Sequence, residues 1–231
     1  MLVNADFNSR VVVTAAEREW VPSPAGGVER CMLDRVPLDA SGEVARATSL
    51  VRFAPGSAFP KHTHGGGEEY LVLAGTFGDE TGDFPVGTYV RNPRGTAHAP
   101  RTPEGCTILV KLHQFAPDDD AAVVIDTRTA GFEAGAGEGV TQLVLHRHGA
   151  ELVRLVRFEP GVVLDAHDHP GGEELFVLEG SFRDADGIYE AGTWLRSPAG
   201  TAHAPRSEFG CLLWIKTGHL GAGTSMLPEA A

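Results

Sequence analysis

The chain has 231 residues, with 31 acidic against 19 basic side chains and a formal net charge of −12. So acidic a surface repels a phosphate backbone, no basic run reverses this locally, and no apolar run is long enough to span a bilayer, so neither nucleic acid nor membrane is expected as a partner. Three cysteines, an odd number in a chain this long, do not make a disulfide framework, and Asp6 and Asn8 sit where a signal core would be, so a soluble cytoplasmic protein is expected.

Fifteen prolines and 29 glycines punctuate short apolar runs about every ten residues, the pattern of an all-β sandwich or barrel. In chain order, a helical turn or two is expected only at 14–20 and in the C-terminal tail. Strands are expected at 49–53, 69–73, 87–91 and 107–112. The first charge-bearing motif follows the first of these: Gly56, His62, His64, Glu68 and Gly75. Two histidines separated by one residue on a strand share a face, because side chains alternate. Gly65, Gly66 and Gly67 allow a tight reversal, after which Glu68 opens a returning strand beside the imidazoles. A second motif, Gly87, Pro93, Gly95 and His98, adds a turn and a third histidine. Three imidazoles and one carboxylate then converge on one point, a set suited to a divalent ion such as Zn, Fe, Mn, Ni or Cu and too rich in nitrogen for Mg or Ca.

Beyond a Pro- and Asp-rich boundary at 116–120 the same skeleton returns. His62, His64, Glu68 and His98 are answered by His167, His169, Glu173 and His203 at a constant offset of 105, and Cys106 and Lys111 by Cys211 and Lys216. Upstream of each block the offset is 112, which puts seven extra residues in the first copy, in a polar loop around 36–43. One metal-binding unit has been duplicated, and the division expected is 1–118 and 119–231, with up to two ions per chain.

The spacing of both motifs resembles that of the cupin superfamily, and the phrases HTHGGGEEYLVLAGTFGDE and GTYVRNPRGTAHAP resemble its ChrR-like group. The resemblance implies two antiparallel jelly-roll barrels in one chain, a bicupin with an internal pseudo-two-fold, and metal ligands His62, His64, Glu68, His98, His167, His169, Glu173 and His203. That group includes the zinc-binding domain of ChrR-type anti-sigma factors and small iron-dependent dioxygenases. Where the second cupin motif often ends in Asn, this chain has Thr102 and Ser207, which are not ligand positions. It also lacks a His-x3-Cys-x2-Cys zinc segment ahead of the cupin, so sigma-factor binding is not expected. The partner expected is a small-molecule ligand or substrate, with homodimerisation open.

Several other residues carry expectations. Alternation places Tyr70 on the metal-facing side of its strand, and Tyr89 is assigned the same side, with Leu175 and Trp194 as their counterparts, so the first cavity is expected to hold up to two phenols and the second none. Tyr70, Tyr89 and Arg91 are the candidate catalytic residues. For Arg91 and Arg196, binding an anionic substrate and pairing with Glu69 and Glu174 are equally open. Cys106 and Cys211 read as small buried hydrophobes, His146 and His148 as an exposed strand, and His113 and His219 as incidental. With two coordination positions left free the site suits a dioxygenase acting on an enol, diketone or phenol. With zinc held tetrahedrally it suits a structural or stress-sensing module.

Overall fold

The computed structural model describes residues 1–24, 26–38 and 44–221, so most of the polar insertion at 36–43 and the tail from 222 lie outside the described residues. Among the described residues the one helical element is a 3-10 turn, Ala15–Glu17, within the expected segment. It begins there because Thr14 can cap it: Glu17 Oε2 accepts from the Thr14 backbone N–H at 3.0 Å and from its hydroxyl at 2.7 Å. No helix of the described residues is long and apolar enough to cross a membrane.

Everything else regular is antiparallel strand, and it forms two ten-stranded sheets of matching topology and two two-stranded ribbons. The first runs, edge to edge, through Val123–Asp126, Thr88–Asn92, Glu68–Asp79, Cys106–Leu112, Val44–Phe53, Val28–Pro37 and Trp20–Pro22. In the second the same order is Val11–Val13, Trp194–Ser197, Glu173–Arg183, Cys211–Thr217, Glu151–Phe158, Val140–His148 and Glu133–Ala134. In the middle of each path strands distant in sequence lie side by side, Glu68–Asp79 beside Cys106–Leu112 and Cys106–Leu112 beside Val44–Phe53 in the first, as jelly-roll connectivity requires, and each expected strand overlaps an observed one, with Gly87 just ahead of Thr88–Asn92. The fold is two cupin barrels in one chain.

Alternation fills each barrel. Tyr70, Val72, Val90, Ile108, Val110 and Val51 point inward in the first, and Leu175, Val177, Leu195, Leu213, Ile215 and Val156 in the second. Each fully buried apolar side chain contributes roughly 1.5–3 kcal/mol. Both ligand-bearing strands carry a bulge: pairing shifts register between Thr107 and Ile108 in the first copy and between Val177 and Glu179 in the second. Just beyond it the backbone turns left-handed at Gly75 (φ 69°), where a Cβ would stand 2.1 Å from the Gly105 carbonyl oxygen. Only glycine fits there.

The compact units do not follow a single cut between 118 and 119. One comprises Met1–Ala5 with Glu19–Ala130, the other Asp6–Arg18 with Gly131–Ala231. The reason lies in two short strands at equivalent places in the repeat. Val11–Val13, which opens the first repeat, pairs with Trp194–Ser197 of the second unit; Val123–Asp126, which opens the second repeat, pairs with Thr88–Asn92 of the first. Each repeat thus lends its opening strand to the other's sheet edge.

Candidate metal centres

The strand His62–Thr63 pairs with Ala97–His98, and the register sets His98 directly opposite His62. His64 follows one turn of alternation later, and the Gly65–Gly67 reversal lies against His113 and Phe115, closely enough that a Cβ on Gly67 would stand 2.4 Å from the Phe115 ring. Glu68 then enters the barrel. The result is one tight cluster: ring centroids lie 4.6 Å apart for His64 and His98, 5.0 Å for His62 and His98, and 5.2 Å for His62 and His64. Nε2 of His64 and Nε2 of His98 each lie 3.5 Å from Glu68 Oε2.

The outer nitrogens are all occupied. His62 Nδ1 donates to the Pro60 carbonyl at 3.2 Å, and His98 Nδ1 to Asp79 Oδ2 at 3.1 Å. His64 Nδ1 lies 3.0 Å from Thr96 Oγ1, which spends its own proton on the Pro93 carbonyl and must accept. This fixes the Nδ1–H tautomer in all three rings and leaves Nε2 as the free lone pair. Asp79 is itself held by the Thr81 backbone N–H and hydroxyl, and Asn92 donates to Glu68 at 3.1 Å.

The electrostatics match. Burial and the neighbouring imidazoles lower His64 to about 4, burial lowers His98, and burial raises Glu68 to about 7. Proteins rarely bury acceptors without donors, yet Nε2 of His64 and of His98 have no hydrogen-bond partner. Three neutral imidazoles and a desolvated carboxylate aimed at one point fit a divalent transition ion, which would satisfy the lone pairs and offset the buried negative charge.

The second cluster repeats this with looser support. His167 faces His203 across its own two-stranded ribbon, with ring centroids 4.8 to 5.1 Å apart among the three histidines. His169 Nε2 and His203 Nε2 stand 3.2 Å apart, close to the separation of two nitrogens about 2.1 Å from one ion. Glu173 Oε1 lies 3.4 Å from His169 and Oε2 3.7 Å from His203. Burial lowers both of these histidines to about 4 and raises Glu173 to about 7. Here Asn92 is replaced by Ser197, Glu173 Oε2 is buried without a hydrogen-bond partner, and Asp184 stands 3.8 Å from His203, beyond hydrogen-bond reach.

Each cluster opens on a cavity, of about 280 Å³ in the first unit and 490 Å³ in the second. The candidate catalytic residues are not brought together there. Tyr70 does point into the barrel, but behind an apolar layer: its ring lies 5.0 Å from Phe77, which lies 6.0 Å from His98. Its hydroxyl is buried with no hydrogen-bond partner. Tyr89 and Arg91 are on the opposite face. Glu68 pairs with Asn92 and Tyr70 with Val90, so Tyr89 and Arg91 fall out of phase, beside Leu71 and Glu69. Arg91 donates to Glu69 at 2.9 Å and to Asp119, and stacks 4.0 Å over Phe115, which makes it a structural ion pair. Trp194 is likewise turned away and donates to Glu174 at 2.9 Å.

The phenols are also distributed differently from expectation. The second unit has one, Tyr189, in place of Phe84; its hydroxyl donates to Asp184 at 3.0 Å and accepts from Arg10. Other residues move too. His113 lines the first cavity, His146 is buried rather than exposed, and His219 bonds Glu174 at 3.1 Å. Sequence reasoning passed over Asp79 and Arg30, although an acid eleven residues after the ligand glutamate in both copies was a signal for the first of these.

A family profile described as the ChrR Cupin-like domain matches twice, over residues 8–116 and 120–221. No curated protein matches the chain significantly. Among solved structures, a candidate dioxygenase from Nostoc punctiforme aligns with a TM-score of 0.75 at 15% identity, covering 97% of this chain and 88% of that one. A candidate glyoxylate-induced protein from Pseudomonas aeruginosa aligns at 0.72 and 16% identity, covering 100% and 93%. The oxalate decarboxylase of Bacillus subtilis, with Mn(II) centres, aligns at 0.62 and 15% identity, covering 94% and 81%. Identities this low speak for a shared fold alone.

Proposed function

Because the chain belongs to the ChrR Cupin-like family, with a family domain in each half, we propose that it is a metal-dependent enzyme, a dioxygenase of the Fe(II) type acting on a small enol, diketone or phenol. The observation that carries this reading is the pair of buried, unsatisfied Nε2 atoms of His64 and His98 beside Glu68, in a cluster whose His62, His64 and Glu68 line a cavity of the first unit. His62, His64, His98 and Glu68 would hold the ion, and a six-coordinate ion held by four protein donors would keep two positions for other ligands. A bound redox-active ion would supply an electron source and a template for dioxygen and one substrate oxygen. The chain's own residues do the rest. Asp79, Thr96 and the Pro60 carbonyl hold the imidazoles in one tautomer, Asn92 orients the carboxylate, and the apolar wall around Phe53 and Phe59 excludes water from a bound substrate.

The alternative, a zinc module that senses oxidative stress, needs a reactive thiol. Burial pushes Cys106 and Cys211 up to about 11 and keeps them as inert thiols. A zinc sensor working by ligand loss alone is the remaining form of that reading. The test is oxygen uptake by protein stripped and reloaded in turn with Fe(II), Mn(II), Ni(II) and Zn(II), screened against 2,4-pentanedione and catechols. Uptake with a redox metal and none with zinc is expected. Inertness in every metal form would move the assignment to the sensing reading.

A further inference from the structure

Each metal cavity carries an arginine that the repeat does not share. The strand Val28–Pro37 presents Arg30 to the first cavity, and its counterpart in the second is Gln142; the strand Glu151–Phe158 presents Arg154 to the second, where the first has Ser49. Pairing confirms the equivalence, since Arg30 lies opposite Val51 as Gln142 lies opposite Val156, and Ser49 opposite Met32 as Arg154 opposite Val144. Between the copies the arginine position has moved by one strand and two residues, a diagonal step of about 7–8 Å.

The two guanidiniums are engaged differently. Arg154 Nη1 donates to Gln142 Oε1 at 3.0 Å, and its charge stabilises the Glu173 carboxylate, which has no counterpart to the Asn92 amide. Arg30 makes no hydrogen bond or ion pair among the described residues, and burial alone acts on its pKa, downward. The walls differ in the same sense. In the first cavity Glu68 is the one carboxylate among the described lining residues, against Arg30 and Arg35; the second also has Glu138 and Asp165. A half-buried cation with no hydrogen bond or ion pair of its own, in a wall with more basic than acidic groups, is placed to take an anion, and a planar guanidinium in a wall shared with Val51, Phe53 and Phe59 suits an organic carboxylate better than a strongly hydrated phosphate.

We propose that the first cavity binds a small organic carboxylate, with Arg30 holding the carboxylate and the apolar wall its body, whereas Arg154 is held by Gln142 in a wall that already carries Glu138 and Asp165 and provides no such subsite in the second. That this ligand is a substrate rests on the enzymatic reading above; that it binds does not. The test is calorimetric titration of the full chain, as zinc-loaded and as chelator-treated protein, with benzoate, benzyl alcohol and inorganic phosphate. Benzoate is expected to bind once per chain, and the other two more weakly by about tenfold or more. Arg30→Met is expected to weaken benzoate by about 10- to 100-fold with metal content and melting temperature unchanged, and Arg30→Lys to restore part of the loss. Arg154→Met is expected to leave benzoate within about twofold. Absence of benzoate binding, or wild-type affinity in Arg30→Met, overturns the proposal even if oxygen uptake is found. Arg30-dependent binding without any oxygen uptake leaves it standing and removes the dioxygenase instead.

Discussion

At the scale of single residues, the centres are set by what burial does to charge. In the metal-free protein Glu68 and Glu173 are raised to about 7 while His64, His169 and His203 are lowered to about 4. Raised carboxyls contribute a penalty that grows as pH rises from their unfolded value through 7, and lowered imidazoles one that grows as pH falls from 6.5 through 4. Between about pH 5 and 7 His64, His169 and His203 are already neutral and the carboxyls still hold protons, so an entering ion must displace the carboxyl proton at each site. Metal affinity is therefore expected to be level above about pH 8 and to fall by about tenfold per unit below 7, read by chelator competition at pH 8 and 6. Equal affinities after correction for the chelator would show that neither glutamate is a ligand. The same logic explains what the sequence left hidden at this scale. A repeat draws the eye to identical residues, so the eight candidate ligands stood out, whereas Arg30 and Arg154, Phe84 and Tyr189, and Asn92 and Ser197 carry their meaning in being different.

At the scale of elements, alternation along a strand was legible but its absolute phase was not. Glu68 and Tyr70 read correctly because the ligand itself fixes the phase of its strand. Tyr89 did not, because Pro93 and Gly95 break the strand before His98, so that histidine says nothing about which face Thr88–Asn92 presents. Phase there is set across the sheet, by Glu68 opposite Asn92. The bulge is the other device at this level, re-aiming the strand after the ligand so that Phe77 and Asp79 both reach His98. Gly75→Ala would combine a left-handed φ with a Cβ 2.1 Å from a carbonyl oxygen. A loss of at least about 1–3 kcal/mol is expected in urea unfolding, with metal content of the first unit reduced alongside it. Stability equal to wild type would mean that the bulge can relax without the glycine.

At the scale of the molecule, two barrels were readable from the offset of 105, but the crossing of the two opening strands was not, because both are short, apolar and alike. The N-terminal segment does more than close an edge. Arg10 bonds Tyr189 and Asp184 behind His203, Arg18 donates to the Gly192 carbonyl, and Phe7 lies 4.3 Å from the Arg196 guanidinium. A chain lacking residues 1–18 is accordingly expected to lose metal from the second centre while keeping it in the first, seen as a fall from about two ions per chain to one by mass spectrometry. Loss from both centres, or from neither, would contradict the pairing.

The crossed strands also bear on the order of events at the ribosome. Val11–Val13 is synthesised about 180 residues ahead of its partner Trp194–Ser197, with the whole of the other barrel in between. At about 5–20 residues per second the early strand waits on the order of ten seconds or more, an unclaimed edge beside a barrel that is already folding. The other crossed strand, Val123–Asp126, follows Thr88–Asn92 almost at once. Translation speed should therefore touch the two halves unequally, with the N-terminal barrel maturing as it emerges and the C-terminal barrel dependent on a strand made long before it.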